Sequence, residues 1–316
     1  MKIGLLDVDG HNFPNLPLMK ISAWHKAKGD HVEPFFGLFR YDKVYVSKVF
    51  TSSRDYEFAI QADEVEYGGT GYGLENKLPA EIEHIYPDYS LYRMNRSAYG
   101  FLTRGCPRAC PFCIVGEKEG KISRQVADLS ESWRGQKEIV LLDPNLLACR
   151  DREKLLDQLI ESKAKVDFTQ GLDARLITPE IAKMLAKVNT KMVHFAWDFI
   201  ADEHEVIRGL AEYKKATNID QRQAAVYMLT NYNTTHEEDM YRLLKIRELG
   251  FMPDVRIYNK DQAPKITRYL QTWCNGRKSY YAEPDFYMFR PSKKSDGKTV
   301  REILGLQERE MVKSEV

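Results

Sequence analysis

Residues 98–113 read Ala-Tyr-Gly-Phe-Leu-Thr-Arg-Gly-Cys-Pro-Arg-Ala-Cys-Pro-Phe-Cys, a strand-like run that breaks into a proline-punctuated loop. Cys106, Cys110 and Cys113 stand there in C-x3-C-x2-C spacing. Three thiolates on one tight loop can wrap a cubane iron–sulfur cluster, whose irons prefer soft sulfur ligands. Three ligands for four irons leave one iron open, and an open position separates a catalytic metal site from a closed structural one. Arg104 and Arg108 flank the loop and help to compensate thiolate charge. The competing reading is a zinc site completed by Cys149 or Cys274. Zinc ribbons, however, use two separated C-x2-C pairs, and this chain has one. Cys149 and Cys274 read as ordinary buried thiols.

Outward from this loop, strand and helix alternate. Strands are expected over 99–103, 138–143, 166–170, 192–198, 224–230 and 255–258. Leu155, Leu156, Leu159 and Ile160 form an apolar helical stripe. Thr178 followed by Pro179 is a helix start, ahead of Ile181, Met184, Leu185 and Val188. Thr235 and Glu238 make a capping box before Met240, Leu243 and Leu244, and Gly250 ends that helix. Six such units with right-handed crossovers curl a parallel sheet toward a barrel. Six fall short of the eight that close one, so the expectation is an open barrel.

The first ninety-odd residues predict a smaller α/β unit: a strand at 3–8, a helix at 17–28 stopped by Gly29, and strands at 43–50 and 64–67. A glycine string, Gly68-Gly69-Thr70-Gly71-Tyr72-Gly73, follows and is a weak candidate for a phosphate cradle. The expected fold is α/β: a small Rossmann-like domain at 1–95, a partial (β/α)6 parallel barrel at 96–276, and an extension at 277–316. With 47 basic against 46 acidic side chains, bulk charge does not bind the chain to nucleic acid or acidic lipid. No apolar run is long enough to span a membrane, and an odd cysteine count with three in one cluster points to a reducing compartment. The sequence reads as a soluble cytoplasmic protein without a membrane partner.

The motif GCPRACPFC at 105–113, followed by β-α units, resembles the radical S-adenosylmethionine (radical SAM) superfamily over roughly residues 98–275. The resemblance implies that Cys106, Cys110 and Cys113 ligate a 4Fe-4S cluster whose open iron chelates S-adenosylmethionine. An electron then cleaves the C5′–S bond, and the 5′-deoxyadenosyl radical abstracts a substrate hydrogen. Phe112 would lie against the adenine. Reactive groups gather at the C-terminal ends of barrel strands. Asp143-Pro144-Asn145 stands where the family often has Gly-Gly-Glu, which makes Asp143 the expected ammonium acceptor and Asn145 a further candidate cofactor-binding residue, against a turn-and-cap reading of the same residues. Gln170 is expected at the ribose and Arg175 at the methionine carboxylate, against an Asp173–Arg175 surface pair. Asp198, Thr230 and Asn231 complete the candidate cofactor-binding set, against ordinary cap and loop roles.

The N-terminal unit resembles the cobalamin-binding domain of one branch of that family. Its lower-ligand signature D-x-H-x-x-G is broken, because Asp9-Gly10-His11 is followed by Pro14 in the glycine's place. A turn is the favoured reading and cobalamin the lesser one. Three functions follow: a radical SAM enzyme, oxidoreductase or transferase, acting by hydrogen abstraction; a cobalamin-linked methyltransferase or sulfur-inserting enzyme; and a non-catalytic iron–sulfur sensor. The absence of a second cysteine triplet counts against sulfur insertion. A reductant such as flavodoxin or ferredoxin is the implied partner. The stretch 277–301, with seven basic residues interleaved with Tyr280, Tyr281, Phe286, Tyr287 and Phe289, offers a nucleic-acid contact, against a solvated face with core aromatics.

Overall fold

The computed structural model describes residues 1–10, 13–94, 96–291 and 297–306. The chain is mixed α/β with two parallel sheets, and it divides into two compact units, Met1–Gln170 and Gly171–Val316.

The first unit opens with β1 (Lys2–Asp7), α1 (Leu16–Ala27), β2 (His31–Pro34), β3 (Tyr41–Ser47) and β4 (Ala62–Gly68). These strands form a four-stranded sheet in the order β2-β1-β3-β4, and every pair is parallel. The Asn15 side chain caps α1 by accepting the Leu18 N–H at 3.2 Å, while its amide donates to Ser47 Oγ at 2.8 Å. Ile3, Leu5 and Tyr45 on one side of the sheet pack with Leu18 and Ile21 of α1. Tyr41, Val44 and Val46 gather Leu6, Val8, Phe35, Ile60 and Val65 in a second cluster. Strand order and direction match the start of a doubly wound sheet, 2-1-3-4. The helices do not: α1 is the one helical crossover, and 35–40 and 48–61 link parallel strands without a helix. The sequence reading missed β2, whose short charged run ends at a proline.

Between α2 (Ala80–Glu83) and β5 (Ser97–Gly100), the Tyr89 hydroxyl donates to the Ser132 carbonyl at 2.7 Å and accepts the Tyr99 N–H at 3.0 Å. Arg104 meets Glu83 at 3.4 Å, and Gln136 donates to the Tyr86 hydroxyl at 2.6 Å. These bonds tie the segment 83–89 to residues 99–136, within the first unit.

The strand expected at 99–103 is two. β5 stays in the large sheet, whereas β6 (Thr103–Arg104) leaves it and, beyond α3 (Val115–Lys118), pairs antiparallel with β7 (Arg124–Gln125). After β8 (Glu138–Leu141) and α4 (Arg152–Ser162), β9 (Lys165–Leu172) runs across the boundary between the units. In the second unit α5 (Pro179–Leu185) precedes β10 (Thr190–Ala196), α6 (Glu203–Ala216), β11 (Ala224–Thr230), α7 (His236–Glu248) and β12 (Met252–Ile257). The second sheet has six strands, ordered β12-β11-β10-β9-β8-β5. Thr178 caps α5 and Thr235 with Glu238 boxes α7, each through the expected side chain.

The buried face of α7 corrects the expected stripe. It comprises Asp239, Arg242, Leu243 and Ile246, while Leu244 is 48% exposed. The chain ends, among the described residues, with α8 (Lys265–Asn275), α9 (Arg277–Ala282) and α10 (Val300–Leu304). Tyr280, Phe286 and Phe289 are buried, and Trp273 packs in tilted contacts against Tyr280 and Phe286, whereas Tyr281 is exposed. Three of the five aromatics that the sequence weighed as a nucleic-acid contact or as core are therefore core. Residues 292–296, also in that stretch, lie outside the described residues. No helix among the described residues is long and apolar enough to cross a membrane.

Gly209 lets α6 touch the turn after β9. A Cβ there would stand 1.7 Å from the Ala174 carbonyl oxygen, which is backbone and cannot swing aside. Alanine in a helix interior ordinarily stabilises by up to about 1 kcal/mol. Gly209→Ala is expected to reverse that sign and cost about 3 kcal/mol or more, as overpacking does. Urea denaturation checks it, and an unchanged or raised midpoint would exclude the contact.

Candidate functional site

The cysteine loop is set by its lead-in. The Asp143 carboxylate, which follows β8, accepts the Leu102 N–H at 3.1 Å, the Thr103 N–H at 2.5 Å and the Thr103 hydroxyl at 2.6 Å. These bonds draw residues 102–103 off the line of β5 and start β6. Arg104 then lies over the Phe101 ring at 3.9 Å and pairs with Glu119 at 2.7 Å, and Glu119 also accepts the Gly105 N–H. Gly105 turns with φ +88°, and a Cβ there would stand 2.2 Å from the Ile122 carbonyl oxygen. The Cys106 N–H donates to the Gly120 carbonyl at 3.1 Å, so the first cysteine is pinned by its backbone.

Beyond Cys106 the loop is more open. Ala109 adopts a left-handed φ of +46°, a conformation that costs a residue with a Cβ roughly 1–2 kcal/mol. The Cys113 N–H closes a turn onto the Cys110 carbonyl at 2.9 Å before α3 begins. Cys106 and Cys110 are half-buried, Cys113 is exposed, and all are free thiols. Among the described residues no three His, Cys, Asp or Glu side chains stand close enough together to hold a metal ion. The donor set itself suits a thiophilic metal cluster: three reduced sulfurs on one loop, two of them close to Arg104 and Arg108 in sequence. Phe112 is half-buried within the same loop.

Asn145 sits behind Cys106 and is buried. Its Oδ1 accepts the Ala148 N–H at 3.2 Å, its Nδ2 donates to Cys106 Sγ at 3.5 Å, and its carbonyl accepts the Ser123 hydroxyl at 2.8 Å. Asn145 is thus both a helix cap and a sulfur contact.

Asp143, the expected ammonium acceptor, uses its carboxylate oxygens on the lead-in of the cysteine loop. Burial pushes its carboxyl up to about 6, against the opposing pull of Thr103, the Leu102 and Thr103 amides and Arg104. The guanidinium of Arg175, expected at the methionine carboxylate, binds Asp173 through Nε at 2.7 Å and through Nη2, and reaches Asp202 at 3.2 Å. The pair is not a surface one, because both side chains are largely buried.

Gln170 is exposed on β9. Asp198 accepts the Leu229 N–H at 3.0 Å. Thr230 is fully buried and donates to the Arg256 carbonyl, so its hydroxyl ties β11 to β12. Asn231 stands in the left-handed region, at φ +60°, and donates to the Tyr258 carbonyl at 2.8 Å. The sequence reading missed Arg242. Fully buried on α7 and paired with Asp239 at 2.6 Å, it donates to the carbonyls of Trp197, Asp198 and Leu229. One guanidinium thereby fixes the C-terminal ends of β10 and β11. Its signal was legible: Asp239, Arg242, Leu243 and Ile246 follow the i, i+3, i+4, i+7 period of a buried face.

Two weaker motifs resolve into local structure. The glycine string folds over Lys48, whose carbonyl accepts the Gly71 N–H at 2.8 Å, and Thr70 accepts a hydrogen bond from Lys118. Asp9 accepts the Val49 N–H at 2.6 Å and the Ser53 hydroxyl at 2.6 Å, organising a turn, while His11 lies outside the described residues. Cys149 and Cys274 are buried, and burial pushes the Cys274 thiol well above its ordinary value. Neither a family model nor a curated protein sequence matches the chain.

The Asp143 carboxyl predicts a pH dependence. Its folded pKa of about 6 lies above the unfolded value of about 4, so the folded state binds the extra proton between them. The contribution therefore falls as pH rises through this window, by about 3 kcal/mol at most. Denaturation from pH 4 to 7 should show wild type losing stability relative to Asp143→Asn as pH rises. A difference independent of pH would reject the assignment.

Proposed function

We propose that this chain is a radical SAM enzyme. On this reading its sheet of six strands is a partial (β/α)6 barrel, and its N-terminal sheet is a reduced Rossmann-like unit. The observation that carries the reading is the C-x3-C-x2-C loop of free thiols, rooted beside a parallel α/β sheet and braced by Asp143, Glu119 and Asn145. Cys106, Cys110 and Cys113 are the residues that would hold a 4Fe-4S cluster. Such a cluster, when bound, supplies the electron that cleaves S-adenosylmethionine at its C5′–S bond and so sets up hydrogen abstraction from a substrate.

The chain's own residues have stated tasks in this proposal. Asp143 and Gly105 give the loop its direction. Arg104, already neutralised by Glu119 and Glu83, holds the loop's base and does not serve a ligand. Phe112 and Gln170 are the proposed contacts for the adenosine part, being a half-buried aromatic on the loop and an exposed amide on β9. Asp198 and Asn231, at the ends of β10 and β11, are proposed cofactor contacts on sequence grounds alone. Reduction by a flavodoxin or ferredoxin and a cytoplasmic location belong to the same proposal. Cobalamin does not.

Anaerobic reconstitution tests the reading. Wild-type protein is expected to take up about four irons and four sulfides and to release methionine from S-adenosylmethionine when reduced by dithionite. Replacing Cys106, Cys110 and Cys113 together by Ala should abolish both, whereas Cys149→Ala should keep the iron. Equal iron in wild type and the triple variant would sink the proposal.

A further inference from the structure

We propose that Asn145 sets the reduction potential of the cysteine-loop cluster by donating its side-chain N–H to the sulfur of Cys106. The inference rests on the cluster reading above and adds a residue that acts through one ligand sulfur.

The orientation of the amide is fixed by its surroundings. Oδ1 must face the Ala148 N–H, an orphan donor of the short helix that Asn145 caps, because an NH2 group there would oppose donor to donor. Nδ2 consequently faces Cys106 Sγ, at 3.5 Å. The Asn145 carbonyl is held by Ser123, and the side chain is 3% exposed, so water does not compete for the contact. The backbone that carries the sulfur is fixed as well, since the Cys106 N–H is bound to the Gly120 carbonyl and Gly105 is wedged under Ile122. Both partners are thus pre-positioned.

An N–H aimed at a thiolate favours whichever state puts more negative charge on sulfur. Reduction of an iron–sulfur cluster adds an electron that is shared with its sulfur ligands, so hydrogen bonds to those sulfurs raise the potential. Cys106 lies against this buried side-chain amide, whereas Cys113, at the other end of the motif, is exposed. Asn145 therefore acts on one corner of the cluster and is a positioning residue, touching neither substrate nor the reacting bond.

The test is a mediated redox titration of the reconstituted full-length protein, followed by visible absorption and electron paramagnetic resonance. Asn145→Ser keeps a good helix cap and removes the N–H donor without adding charge. Asn145→Asp keeps the shape and the cap but places an oxygen against the sulfur. The expected order of potentials is wild type, then Ser, then Asp, with the Ser variant about fivefold to tenfold harder to reduce; tenfold corresponds to about 59 mV for a one-electron couple. A purely structural cap would leave the Ser variant's potential at the wild-type value, and that result overturns the proposal. A drop confined to Asp also overturns it, because charge alone would then be at work. If Asn145→Ser does not fold, an Asp variant at the wild-type potential overturns it in the same way. Wild-type protein with no reducible cluster would fail the cluster reading itself, and this inference with it.

Discussion

One buried carboxylate decides how the chain leaves its sheet. A strand of a parallel sheet normally spends its amides on its neighbour, and β5 does so only as far as Gly100. From Leu102 onward the donors go to Asp143, a residue at the end of the adjacent strand. Burying that charge is costly, and it is tolerated because two backbone amides and a hydroxyl converge on it. The direction of the cysteine loop, the start of β6 and the seating of Gly105 all follow from this exchange of partners. Without it, residues 99–103 would continue as the uninterrupted strand their composition predicts.

The second unit uses the same device with the opposite charge. Arg242 lies in a helix face that should be apolar, and its guanidinium takes up three strand-end carbonyls that nothing else in the helix could reach. Asp239, one turn back, neutralises it. A buried pair of this kind is weak support for stability compared with well-packed apolar side chains, but removing one member is costly, so it fixes geometry strongly. In each unit, then, the polar groups that shape a strand end are anchors for backbone, and the exposed groups near them are left for other work.

This division explains what was legible in the sequence. Elements set by period and punctuation could be read directly: the capping box at Thr235, the Thr178-Pro179 helix start and the strand at 224–230 depend on neighbours in the chain. The cysteine spacing was legible for the same reason. Asp143, Arg175 and Thr230 were identified as polar residues at strand ends, yet their partners lie across the fold or in competing local pairs, and spacing cannot show which hydrogen bonds are already spent. Asp173 binds the Arg175 guanidinium, and the Arg256 carbonyl accepts the Thr230 hydroxyl. The helix face carrying Arg242 was misread because an apolar-only pattern counts a buried charge as exposed. The N-terminal unit was read as α/β from three of its four strands, while its missing helices left no sequence signal, since an extended link resembles any loop.

The reach of the Asp143 contact bears on how the protein is made. Thr103 precedes its carboxylate partner by 40 positions, and Cys106 precedes the Asn145 amide by 39. At roughly 5–20 residues per second of synthesis, the thiols are made several seconds before the groups that shape their loop. Until then the loop lacks the contacts that Asp143 and Asn145 make to it in the folded chain. The braced form of the loop therefore requires β8 and the turn after it to have been made.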